Sequence, residues 1–369
     1  MKRIITAALA ATLTIALFAF YNVQAKISAG ADGPSYGVIR FDFDDYSDLK
    51  DLSLFSSFGR GYSLMNGKLY TERSGEQKAV FKTETLTDFE MSAELFTPSD
   101  GAYLDGGFYF GINGDIGNNV DAINAYQICF VRAGGHNILN GDYTDCTIKI
   151  YKFSYKNGVT NYTYLTEAPA YADMRPTMKL KVEGSTAYVY LDGNLNPVIT
   201  YALDDYVGGR VGLRSFYCAM GFDNIEIYAE GLPVDTALLS ALCEKAAGLD
   251  DNYTTQSETA LSSALTNAQA ALSYRDQKVI DAAGRSLSKA IDGLMIKRSL
   301  TELDELISRA SAVNESGYTA NTYRSLANAL NLAEECDKAD ENAVSKAYAL
   351  LSECIDDLTP RFIRGGSDQ

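Results

Sequence analysis

One residue type limits the chemistry open to this chain: its 369 residues include a single histidine, His136. A multi-histidine metal centre is excluded, and a Ser–His–Asp hydrolase is not expected. His136 follows Gly134-Gly135 and reads as a turn residue between strands. Alternation along strands gives a better lead. If Phe108, Phe110 and Ile112 face a core, Tyr109 turns to the opposite side. Ile148 and Ile150 inward put Lys149 and Tyr151 outward, and Val211 and Leu213 inward put Arg210 and Arg214 outward. Gln127 alternates with Tyr126 and Ile128 in the same way. Sugar recognition needs flat apolar faces beside groups that hydrogen-bond hydroxyls. Tyr109, Gln127, Tyr151 and Arg214 would supply both if their strands were neighbours, with ordinary packing as the alternative for each. They are expected to be exposed, so that changing Tyr109 or Arg214 should spare the fold.

A second candidate is a hard-cation site. The run Asp42, Asp44, Asp45, Asp48 and Asp51 carries oxygen ligands of the kind calcium takes, or is a solvated acidic loop. Six cysteines in so long a chain are too sparse for a disulfide framework. Cys336 and Cys354 look like a pair, but a helix beginning near Glu341 would put Cys354 roughly 20 Å from that helix's start. A bridge tolerates a Cα separation of only about 7 Å. Cys129 and Cys146 on neighbouring strands remain open as a pair; buried thiols are the expectation for the rest.

The elements that carry these residues come from two compositions. Residues 26–232 hold 24 of 30 glycines, 19 of 25 tyrosines and 13 of 16 phenylalanines. Beyond Gly231-Leu232-Pro233, Ala, Leu, Ser and Glu take over, which marks a domain boundary. In the first part Met178–Val182, Tyr188–Leu191, Thr147–Phe153, Phe108–Ile112 and Tyr126–Phe130 read as strands. Turn pairs fall at Asn66-Gly67, Ser74-Gly75, Asn157-Gly158 and Gly208-Gly209. Many short strands without helices predict an antiparallel β-sandwich over residues 35–231. The second part repeats. Tyr253-Thr254 and Tyr318-Thr319 are 65 residues apart, Leu261 and Leu265 match Leu326 and Leu330, and Ile291 and Leu294 match Ile355 and Leu358 after a one-residue shift. Thr254 and Thr319 suit helix N-caps. Two three-helix bundles are predicted, over 235–297 and 299–360, followed by a tail at 361–369.

The ends and the charge bound the setting. Met1-Lys2-Arg3, an apolar run to about Phe20 and Val23-Gln24-Ala25 form an export signal at 1–25, cleaved after Ala25 or retained as an anchor. With 32 basic and 48 acidic side chains the net charge is −16, which argues against a nucleic-acid partner. No Leu-Pro-x-Thr-Gly motif follows Pro360, so covalent attachment to a cell wall by that route is not expected.

Both halves show family resemblances. Phe41-Asp42-Phe43, Asn66-Gly67-Lys68-Leu69-Tyr70, Val189–Gly193, Gly209–Arg214 and Phe222-Asp223-Asn224-Ile225, in that order, resemble a laminin-G-like, concanavalin-A-like jelly roll of the kind found in levan-type carbohydrate-binding modules. Such sandwiches often bring first and last strands together, which implies a structural calcium between Asp42 and Asp223. The helical copies resemble FIVAR repeats, which accompany secreted and surface glycan-active proteins of Gram-positive bacteria. Tyr318, Thr319, Thr322, Tyr323 and Leu326 follow that pattern; the first copy keeps Tyr253, Thr254, Ser257 and Leu261 but has Glu258 at the aromatic position. The resemblance implies an extracellular or cell-surface protein binding a polysaccharide or oligosaccharide, with helical repeats free to take other surface components. The same sandwich hosts glycoside hydrolases whose catalytic strand reads Glu-x-Asp-x-x-Glu. The nearest string here, Glu226-Ile227-Tyr228-Ala229-Glu230, has Tyr228 where the orienting carboxylate would stand. The expectation is therefore a non-catalytic binding module, with a hydrolase or a structural spacer as alternatives.

Overall fold

The computed structural model describes residues 35–41, 43, 52–56, 61–71, 75–98, 103–113, 123–133, 138–139, 142–250 and 252–361. The export signal, Asp42 and the rest of the acidic run, His136 and nearly all of the C-terminal tail lie outside them. The chain divides into two compact units at Asp235, residues 275–277 counting with the first.

The first unit is the expected antiparallel β-sandwich. Its strands are β1 (Tyr36–Phe41), β2 (Leu52–Ser56), β3 (Tyr62–Met65), β4 (Lys68–Thr71), β5 (Glu76–Phe81), β6 (Phe89–Phe96), β7 (Leu104–Asn113) and β8 (Asn124–Arg132). There follow β9 (Ile138–Leu139), β10 (Asp142–Lys156), β11 (Val159–Ala172), β12 (Thr177–Glu183), β13 (Thr186–Leu191), β14 (Ile199–Ala202), β15 (Arg210–Phe216) and β16 (Gly221–Glu230). One sheet runs β14-β13-β12-β6-β16-β4-β3, with β1 also on β16; the other runs β11-β10-β8-β7-β15-β5-β2, with β9 on β10. Every one of these pairs for which a register is defined is antiparallel, and first and last strands pair, Phe41 opposite Ile225.

Local chemistry explains the joints. Asn66-Gly67 and Asn157-Gly158 link adjacent antiparallel strands with positive φ at both residues, the backbone that the short mirror-image turn requires. Between the sheets, side chains from both inner faces form one core, among them Phe81, Phe89, Met91, Phe108, Phe110, Ile128, Phe130, Ile148, Leu180, Val189, Leu213, Phe222 and Ile227. This core takes the inward residues that alternation assigns except Ile112, which the irregularity at Gly111 turns to the outer face beside Tyr109.

Among the described residues, the second unit contains six α-helices: α1 (Ala237–Ala247), α2 (Thr255–Ala271), α3 (Gln277–Asp292), α4 (Leu300–Ser311), α5 (Ala320–Glu335) and α6 (Glu341–Asp356). The repeat is visible in its hydrogen bonds. The Thr254 amide donates to the Met295 carbonyl and the Thr319 amide to the Thr359 carbonyl, while Tyr253 and Tyr318 bridge Ile296 and Pro360. Offsets of 65 residues at one end and 64 at the other reproduce the one-residue shift read from the leucines. Thr254 and Thr319 do stand at the N-caps, but neither side chain caps its helix. Their hydroxyls pair instead with those of Ser257 and Thr322. Leu303, Leu306, Leu326, Ala329, Val344 and Leu351 form the core of the second helix trio. The α4 N-terminus has a full capping box between Ser299 and Glu302.

All six cysteines are free thiols. Cys336 ends α5 and Cys354 lies near the far end of α6, as the spacing argument requires. Cys129, Cys146, Cys218 and Cys243 are buried, whereas Cys336 and Cys354 are only half-buried.

Candidate functional site

The outward face of the second sheet holds an open cleft of about 350 Å³. Strands β15, β7, β8 and β10 are consecutive neighbours there, so Arg214, Tyr109, Gln127 and Tyr151 do share one sheet and one face. The register makes the grouping tight: Gln127 lies opposite both Tyr109 and Tyr151, and Arg214 lies opposite Gly107, which in turn faces Cys129.

Arg214 organises the floor. Its Nε donates to Glu76 at 3.4 Å, and its Nη1 donates to Asp105 and, at 3.3 Å, to the Cys129 sulfur. To reach Cys129 the guanidinium must pass over the intervening strand at Gly107. That residue has φ +153°, and a Cβ there would meet the Ile128 carbonyl oxygen at 2.2 Å, so only glycine fits. Glu76 further takes the Tyr109 hydroxyl and the Lys78 ammonium, the latter at 3.2 Å. Asp105 takes the Tyr103 hydroxyl at 3.1 Å. Gln127 donates its amide to Cys129 and leaves Oε1 buried without a hydrogen-bond partner.

Burial sets the electrostatics. Burial alone would raise the Glu76 carboxyl, but Lys78, Arg214 and the Tyr109 hydroxyl hold it below its ordinary value. Desolvation works against the Arg214 charge, yet its neighbours Cys129, Asp105, Tyr109 and Glu76 keep it more firmly protonated than usual. Burial pushes the Cys129 thiol up to about 11, so it is no ready nucleophile, and burial together with Asp105 pushes the Tyr103 phenol to about 12.

Aromatic rings wall this floor. Phe216 stacks under Arg214 with the guanidinium carbon 4.9 Å from its ring centre. Tyr151, Phe153 and Tyr162 stand on the other side. A bulge directs them: Ile150 pairs with Thr166, but Tyr151 pairs with Tyr164, so Leu165 is the extra residue. Leu165 packs on the core. The slip puts Tyr164 opposite Tyr151 and Tyr162 opposite Phe153, turning four rings to one face.

Exposure is where the structure corrects the sequence reading. Tyr109, Gln127 and Arg214 are 0%, 1% and 6% exposed. Beyond the Glu76 hydroxyl bond, Tyr109 lies in a second apolar cluster with Val80, Ile112, Ile123 and Ala125, covered by Phe153. It is therefore a support for Glu76, with its ring shut away from the cleft, and cannot be a stacking platform. Gln127 and Arg214 do line the cleft but as a buried floor, and only Tyr151 is partly exposed. Replacing Tyr109 or Arg214 would disturb the fold, contrary to the expectation. Glu76, Tyr103, Asp105, Phe153, Tyr162 and Phe216 were missed. Asp105, Phe153 and Phe216 carry the same alternation signal as Tyr109, Tyr151 and Arg214, at four, two and two residues' distance.

The other candidates lie elsewhere. Glu226 is on the first sheet's outward face, paired with Arg40 at 2.9 Å, and Tyr228 hydrogen-bonds both residues. Asp223 takes the Lys68 ammonium and the Asn224 amide, so a cation there would have to displace Lys68. Asp42 is outside the described residues, and among those described no three potential ligands gather as a metal would need.

Neither a protein-family model nor a curated protein matches the chain. Solved structures similar to it are lectin-like β-sandwiches. One is a carbohydrate-binding module, CBM66, from Bacillus subtilis, at 16% identity and TM-score 0.36, covering 48% of this chain and 96% of that one. Another is a Bacillus subtilis protein of unknown function with a galectin-like fold, at 13% and 0.40, covering 53% and 98%. A third is the kappa-carrageenase of Pseudoalteromonas carrageenovora in complex with an oligotetrasaccharide of kappa-carrageenan, at 11% and 0.38, covering 54% and 97%.

Proposed function

We propose that this is a secreted or cell-surface glycan-binding protein whose sandwich takes sugar in the cleft on its second sheet. The observation that carries the reading is the pairing of a fixed polar floor, Arg214, Asp105 and Gln127, with the rings of Tyr103, Tyr151, Tyr162 and Phe216. Sugars present both kinds of surface, hydroxyl edges and apolar ring faces, and a site with a few placed polar groups among aromatics meets both. The export signal read at residues 1–25 and the FIVAR-like repeats support an extracellular place. On this reading the helical repeats display the sandwich and are free to contact other surface components. A structural calcium held by Asp42 and Asp223 belongs to the same proposal, in competition with Lys68.

A glycosidase would also place two carboxyls in such a cleft. Here Glu76 and Asp105 are both bound to one guanidinium, and Glu76 is held low, whereas a general acid needs its carboxyl raised. Binding without hydrolysis is the reading that this favours. A glycan array probed with the mature chain and with Tyr151→Ala tests it. The wild type should retain a defined class of glycans and Tyr151→Ala should lose it. No retained glycan, or equal retention by both, would overturn the assignment.

A further inference from the structure

The floor of the cleft is unbalanced in a way that says what must enter it. Arg214 already meets two carboxylates, Glu76 and Asp105, and Lys149 at the rim faces Glu167 at 3.7 Å. The group left unmet is an acceptor, Gln127 Oε1, on a side chain only 1% exposed. A buried orphan acceptor carries a desolvation penalty until a donor reaches it. A hydroxyl brings a donor; a carboxylate or sulfate brings only acceptors, to a site whose two cations, Arg214 and Lys78, are already paired with Glu76 and Asp105.

The cleft also continues past its own wall. Tyr164 does not line it, yet its ring centre is 5.7 Å from that of Tyr151, which does. Tyr162, at the wall, stacks on Phe153 at 6.1 Å. Tyr162 and Tyr164 are 71% and 51% exposed, two large rings that a bulge has turned to the same face. The exposed rings thus extend the site along β11.

We infer that the cleft binds a neutral oligosaccharide chain at two subsites: a polar one over Gln127 and Arg214, and a stacking one on Tyr162 and Tyr164. This rests on the sugar-binding reading above. The next sugar of the same chain is the occupant that continuity with the polar subsite favours for the tyrosine pair.

The test is calorimetric, on the full mature chain. The probes are malto-, cello-, xylo- and fructo-oligosaccharides from monosaccharide to hexasaccharide, with oligogalacturonides as the charged counterpart. One neutral series should gain affinity with length, and oligogalacturonides should not bind. Tyr164→Ala should weaken the longer members about threefold to tenfold, the worth of one aromatic contact. It should leave the monosaccharide unchanged. Affinity independent of length, equal loss for monosaccharide and oligosaccharide, or a preference for oligogalacturonides would overturn the two-subsite inference. If Tyr151→Ala still abolished binding in that case, the sugar-binding reading would stand. Failure of every probe to bind would remove the two-subsite inference, and an array that retained no glycan would remove the sugar-binding reading as well.

Discussion

The two sheets of the sandwich turn the same kinds of side chain outward and treat them in opposite ways. On the first sheet, β12 and β13 alternate buried with half-exposed residues. Lys179 lies 4.5 Å over Tyr190, Lys181 lies 5.9 Å over Tyr188, and Arg40 pairs with Glu226 at 34% and 38% side-chain exposure. On the second sheet, β5, β7, β8 and β15 are buried on both faces for most of their length. Lys78, Tyr109 and Arg214 sit there beneath a further apolar cluster and a wall of rings. Alternation decides which face a residue takes; what else is gathered on that face decides whether water reaches it. One sheet face is solvated, and the other is largely shut from water.

Breaking the central ion cluster should give the largest contrast. Arg214→Ala leaves Asp105 buried without this cation and Glu76 with Lys78 alone, and should cost about 3–5 kcal/mol, the usual penalty for half of a buried ion pair. Arg40→Ala on the first sheet should cost about 0–1 kcal/mol, as exposed pairs do. Urea denaturation of the two variants makes the comparison; equal losses would erase the distinction between the faces.

A smaller effect is expected from single hydroxyls. Tyr109→Phe removes the donor to Glu76 and should cost about 1.5–3 kcal/mol, the range for bonds to charged groups. Tyr188→Phe, whose ring stays under Lys181, should be close to neutral in the same denaturation assay.

Acid should sharpen the difference further. Glu76 titrates below its ordinary value when folded, so its contribution is complete above the unfolded value of about 4.3 and is lost as pH falls through the folded one. The melting temperature should therefore drop on acidification below about pH 4, and Glu76→Gln should flatten that limb. An acid limb unaltered by Glu76→Gln would show that the cluster does not carry this linkage. The smallest effect belongs to Lys181→Ala, a half-exposed position on the solvated face, where the change is expected to stay within about 0.5 kcal/mol.

The sandwich and the helical repeat could be read from the chain because both rest on local periodicity. Asn66-Gly67 and Asn157-Gly158 mark hairpins by backbone chemistry alone, and the leucine spacing marks helices. The faces of Tyr109, Gln127, Tyr151 and Arg214 were legible for the same reason. Their burial was not, since it depends on long-range coverage. Phe153 covers Tyr109 only because β10 lies two strands away across β8, and Tyr162 reaches the cleft only because Leu165 bulges. Glu76 gave no signal either: it opens β5, and only the pairing of β5 with β15 brings it to Arg214.

The expectation that follows is that the outward face of the second sheet, and not that of the first, takes sugar. Its most direct test is calorimetry of the glycan selected by the array against Phe216→Ala and Tyr188→Ala, both judged by circular dichroism to be folded. Phe216 is 37% exposed and walls the cleft, so its loss should weaken binding by roughly tenfold, about 1.4 kcal/mol, while Tyr188→Ala should bind as the wild type does. Normal affinity in Phe216→Ala together with a loss in Tyr188→Ala would place the sugar on the opposite sheet and contradict the account.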